Sequence, residues 1–181
     1  MKVQGTELRL AIQRCIERAS MAKDQFPESL WAFPDDENQV PLDIYQEYVD
    51  ASEGVALLQV AQQAFNRLTK VQVNGVEMPL ALAVNLVGGA GTRAKMLRAA
   101  QRDKGRDRWS VPEKTRDANV VVAKRQLSVA DATEQLKLAA MYASKLRQAI
   151  AMGNATTCEL TPENTGFRLG QLMQIQSLLH T

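Results

Sequence analysis

A chain of 181 residues, 45% of them apolar, has the length of one domain and enough hydrophobic side chains for a core. With 24 alanines and 16 glutamines but only 5% aromatic residues, it favours helices over the β-branched and aromatic strands of sandwiches and barrels. One histidine and two distant cysteines exclude a zinc cluster or a disulfide framework, and a net charge of +2 gives no overall pull toward a polyanion.

The first twenty residues break any apolar run with Lys2, Glu7, Arg9, Arg14, Glu17 and Arg18. No secretory signal is expected, and the cytoplasm is the expected compartment. Cys15 and Cys158 then act as small, reduced, apolar side chains. Within 7–23, Leu8, Ile12, Cys15, Ile16 and Ala19 recur at steps of three and four and predict a first amphipathic helix. Residues 24–40 read as an acidic loop, because Pro27, Pro34 and the Asp35, Asp36, Glu37 cluster cannot continue a helix.

A second helix is predicted over 41–70, opened by Pro41 and striped by Ile44, Tyr48, Ala51, Val55, Leu58, Gln62, Phe65 and Thr69. At ~1.5 Å per residue it spans roughly 40 Å, with Gly54 a weak position costing about 1 kcal/mol relative to alanine. Residues 71–76, Val-Gln-Val-Asn-Gly-Val, alternate and then turn. A third apolar segment covers 79–101, and a basic loop broken by Gly105 and Pro112 covers 102–118. Three consecutive valines in 119–127 predict a strand that pairs with 71–76 as a small two-stranded β element.

The last long helix is predicted over 128–153. Ser128 and Asp131 make a capping start, and Val129, Ala132, Leu136, Ala139, Ala143, Leu146 and Ile150 form its stripe, with Gly153 as the stop. Its alanines would let another helix approach closely. A helical extension over 161–181 is expected to cover the core with Leu169, Leu172, Met173 and Leu179. The fold class is therefore mainly α: one domain over 1–181, an elongated helical bundle with two long antiparallel helices and a small two-stranded β element. The longest uncharged stretch, 78–92, holds Pro79, Asn85 and three glycines, and falls short of the roughly 20 apolar residues that span a membrane.

Charge is segregated along the chain. Residues 24–53 hold nine acids and no Lys or Arg, whereas 93–125 hold eleven cations against four acids. Three readings follow: self-association in which acidic and basic surfaces meet, a polyanion patch, or two solvated faces. For the polyanion reading the candidate residues are Arg98, Arg102, Lys104, Arg106 and Arg108, with Trp109 as a stacking ring. Acids at Asp103, Asp107, Glu113 and Asp117 interrupt that track.

The segment 88–94 contains Gly89-Ala90-Gly91-Thr92-Arg93-Ala94, which fits a phosphate-cradling Gly-x-Gly-x-x-Ala pattern and makes a nucleotide-dependent enzyme the third hypothesis. A dinucleotide fold needs strand–helix alternation, which this chain does not offer. The competing expectation is a helix begun by Pro79, in which Gly88, Ala90, Gly91 and Ala94 allow tight packing or introduce a break. His180, the only imidazole, is a poor base, so no catalytic residue, metal ligand or cofactor is assigned.

Three stretches carry a family resemblance: Ala64-Phe65-Asn66-Arg67-Leu68-Thr69-Lys70 closing a long helix, the turn and helix start Asn74-Gly75-Val76-Glu77-Met78-Pro79-Leu80-Ala81-Leu82-Ala83, and the combination of Asn119-Val120-Val121-Val122, the helix from Ser128 and 150–160. In these the chain resembles the septicolysin-like proteins, small helical bacterial proteins. Ala155 stands where that family has tryptophan, and Asn85-Leu86 where it has an Arg-Asp pair. The resemblance implies a helical bundle with a little β structure that self-associates. The expected role is a non-catalytic interaction or structural protein, a homo-oligomer, with polyanion binding through 93–125 as the alternative.

Overall fold

The apolar spacing of the chain becomes four long helices and two short β ladders in a computed structural model that describes residues 1–31, 43–102 and 127–180, without the side chain of Arg102. The elements run β1 (Lys2–Gln4), α1 (Gly5–Ser29), α2 (Ile44–Leu68), β2 (Lys70–Val73), β3 (Val76–Pro79), α3 (Leu80–Arg102), α4 (Val129–Ala155), β4 (Thr157–Glu159), α5 (Pro162–Thr165) and α6 (Leu169–His180). The protein is mainly α, as composition and periodicity predict. The sequence reading singles out two long helices; α1 and α3 are nearly as long as α2 and α4.

The four pair as two antiparallel hairpins in chain order. In the first, Gly5 meets Phe65, Cys15 meets Gly54, Arg18 pairs with Glu47 and Phe26 packs on Tyr45, so α1 and α2 run in opposite directions over their whole length. In the second, Leu80 lies against Gly153 at one end, and the Gln101 side-chain amide donates to Thr133 Oγ1 at 2.7 Å near the other. The two hairpins meet through the starts of α1 and α3 and the ends of α2 and α4. There Leu8, Leu58, Phe65, Leu80 and Leu146 are fully buried in one apolar cluster.

Both ladders belong to this junction. Strand β2 pairs with β3 across the turn Asn74-Gly75, both residues having positive φ, and the tip is held by Lys145 Nζ donating to Asn74 Oδ1 at 2.8 Å. Asn-Gly suits that geometry because neither residue is strongly penalised in the left-handed region. Strand β2 thus has a local partner in β3, and the pairing expected between 71–76 and 119–127 falls on residues 119–126, which lie outside the described residues. The second ladder was not foreseen. Strand β1 pairs antiparallel with β4, Val3 opposite Cys158, beside the carbonyl of Leu160, which accepts from the amino group of Met1 at 2.7 Å.

Helix boundaries also moved. Helix α1 runs through residues 24–29, expected as part of the acidic loop; residues 32–40 of that loop lie outside the described residues. Pro27 stands in the last turn and removes one intrahelical N–H donor there, yet α1 continues through it, and Ser29 Oγ donates to the Phe26 carbonyl at 2.7 Å. Gly153 does not stop α4, which continues to Ala155; an added Cβ there would lie 2.6 Å from Val71. Ser128 caps α4 as predicted, accepting from the Asp131 amide at 3.0 Å. In the C-terminal segment, α6 buries Leu172 and Ile175 while Leu169 and Met173 are exposed, so two of the four expected core residues face outward.

Candidate interaction surface

Helix α3 carries no carboxylate along its 23 residues. Its first half is apolar or small, and its second half sets the exposed cations Arg93, Lys95 and Arg98 on the surface. Beyond the junction, the buried residues between this helix and α4 are mostly alanines: Ala90 with Leu97 from α3, and Ala132, Ala139 and Ala143 from α4. An alanine seam lets the two helix axes come close, so larger residues on the flank overhang the interface.

The result is an open apolar groove of about 410 Å³, flanked by Leu86, Gly89 and Arg93 on α3 and by Gln135, Leu138 and Tyr142 on α4, with buried Ala90 and Ala139 beneath. Around it Leu138 is 62% exposed and Met96 69%. The first hairpin is different, because α6 packs across it: an added Cβ on Gly54 would touch both Cys15 Sγ at 3.4 Å and Leu178 at 3.5 Å. Among the described residues no third helix does the same for the outer half of α3–α4.

The opposite charge gathers at the far end of α1–α2. Five carboxylates (Asp24, Glu28, Asp43, Glu47 and Asp50) stand there with the cations Lys23 and Arg18, the latter bound to Glu47 at 3.4 Å. Phe26 and Tyr45 stack with centroids 5.8 Å apart; with Lys23 and Tyr48 they border a small hollow of about 150 Å³. Met21, Tyr45, Tyr48 and Trp31 are exposed among these acids.

The Gly-rich segment 88–94 lies inside continuous α3, so the strand–turn–helix that cradles phosphate is not formed there. Neither is there a break, and among the described residues a Cβ on Gly88, Gly89 or Gly91 would have nothing within 4 Å, so no tight packing is seen at these glycines. Of the polyanion candidates, Arg98 is exposed on α3 and Arg102 is its last residue; Lys104, Arg106, Arg108 and Trp109 lie outside the described residues. Burial pushes the Cys158 thiol above its ordinary pKa, which keeps it protonated and a weak nucleophile near neutrality. Among the described residues, no group of His, Cys, Asp or Glu is arranged to hold a metal ion, and no helix is long and apolar enough to cross a membrane.

The sequence analysis names Gly89, Ala90, Arg93 and Ala139 for other reasons, but not Leu138 or Tyr142, because it follows only the core stripe of α4. A usable signal is present: Leu138 and Tyr142 are apolar or aromatic, fall off that stripe and stand four apart, on one face of the helix. Comparison with protein-family models, curated proteins and solved structures found no match to this chain.

Proposed function

We propose that this chain is a non-catalytic helical interaction protein that works self-associated, with the α3–α4 groove as a docking surface. The observation that carries the reading is that groove: an apolar channel on a helix pair whose outer half, among the described residues, is covered by no third helix. Leu138 and Met96 are exposed among the described residues, and covering them with another chain removes apolar surface from water, which favours association. The likeness to septicolysin-like proteins, carried by the Asn74-Gly75 turn and the segments around it, supports the same reading and is part of this proposal. Sedimentation velocity across a dilution series is expected to give a mass that is a multiple of 20.0 kDa and falls on dilution. A constant 20.0 kDa species overturns the proposal.

Polyanion binding by 93–125 is a second reading, supported by the exposed cations of α3 and its lack of carboxylates. Retention on DNA or RNA that weakens steeply with salt is its expected outcome, and no retention at low salt removes it.

A further inference from the structure

Resting on the self-association proposed above, we infer that the occupant of the α3–α4 groove is the acidic far end of α1–α2 from a second copy of this chain. Three observations meet in this assignment. The α3–α4 hairpin bears Arg93, Lys95, Arg98, Lys137, Lys145 and Arg147 against only Asp131 and Glu134, even before Arg102 is counted. None of Arg93, Lys95 or Arg98 is ion-paired to a carboxylate among the described residues. The far end of α1–α2 has the opposite balance, and it presents exposed aromatic rings, Tyr45 and Tyr48, with Met21 among its acids.

Each surface therefore carries what the other lacks. An apolar channel with a cation at its rim accepts tyrosine rings flanked by carboxylates, whereas a nucleic-acid backbone would neutralise the cations and leave Leu86, Leu138 and Tyr142 wet. Rim charges of this kind steer the approach and fix the pairing, while the buried rings hold it. The surfaces lie on different hairpins, so one copy offers both halves of the contact.

A charge-swap experiment tests this on the full chain. One variant reverses the acidic end, Asp24→Lys with Asp50→Lys; the other reverses the basic face, Arg93→Glu with Arg98→Glu. All four positions are exposed and the new residues are good helix formers, so far-UV circular dichroism is expected to be unchanged. Each variant alone is expected to lose self-association by at least about tenfold in Kd, because like charges then face one another. Mixed, the two are expected to recover it, since each reversed surface finds its complement on the other variant.

Wild-type association is also expected to weaken by about tenfold as NaCl is raised toward about 0.5 M, which needs no variant to fold. If wild type self-associates but neither reversal nor salt changes its mass, this assignment is overturned and the broader proposal stands. A wild type that stays at 20.0 kDa throughout overturns both. So does a mass that rises only when nucleic acid is added.

Discussion

Gly5 and Gly153 are held where no other residue fits: an added Cβ on Gly5 would lie 2.6 Å from Phe65 Cε1, and one on Gly153 2.6 Å from Val71 Cγ1. Both positions belong to the buried junction, where neighbours have little room to retreat. Gly153→Ala is expected to lower stability in a urea titration by about 1–3 kcal/mol, the range for overpacking. Gly88 and Gly91 stand in the same kind of helix with open space around them, so the substitution there removes only backbone freedom. Gly88→Ala and Gly91→Ala are each expected to raise stability by about 0.5–1 kcal/mol in that titration. A destabilised Gly88→Ala would mean that something occupies the space beside it. Gly54 shows how the same residue type is read differently once packing is known. The sequence makes it a weak point, whereas the structure makes it the place where α1, α2 and α6 come together.

Ser128 marks the start of α4 in both sequence and structure, since its hydroxyl accepts from the Asp131 amide and donates to Asp131 Oδ2 at 2.6 Å. Ser128→Ala is expected to cost about 1 kcal/mol in thermal unfolding, and Ser128→Asp to restore most of it. Elements with such strong local signals were legible: the three-four stripes of α2 and α4, the Asn-Gly turn and the apolar run that becomes α3. The boundaries and β partners were less so, for a physical reason. Pro27 reads as a breaker because its ring and missing N–H act on the turn before it, yet α1 runs on to Ser29. Strands β1 and β4 have three residues each, too few to show alternation, and their pairing is fixed by tertiary contact. The excess of cations over 93–125 is legible as charge segregation, but neither the acid-free length of α3 nor its groove is, because they depend on where the helix ends and which helix lies beside it. Leu169 and Met173 were misassigned to the core for the same cause: a short helix has two apolar flanks, and only the body of the protein decides which one is covered.

At the scale of the whole molecule, stability is distributed unevenly between junction and far ends. Phe65, Leu8, Leu80 and Leu146 converge where all four long helices meet, whereas among the described residues the outer part of α3–α4 buries Leu97 and alanines. Phe65→Ala is expected to destabilise the entire protein by about 3–5 kcal/mol, with every amide losing exchange protection together. Leu97→Ala, in contrast, is expected to raise exchange mainly in the outer turns of α3 and α4, leaving α1–α2 protected. Uniform loss in both variants would show that the hairpins unfold as one unit.

That both hairpins are rooted at a shared base makes each of them a lever. A helix of 25 residues extends roughly 37 Å at ~1.5 Å per residue, so tilting one hairpin by about 10° displaces its tip by roughly 6 Å. A small repacking around Phe65 and Gly153 would thereby be amplified into a larger displacement of the acidic end of α1–α2 and of the outer half of α3–α4, so the two surfaces are coupled through the base they share.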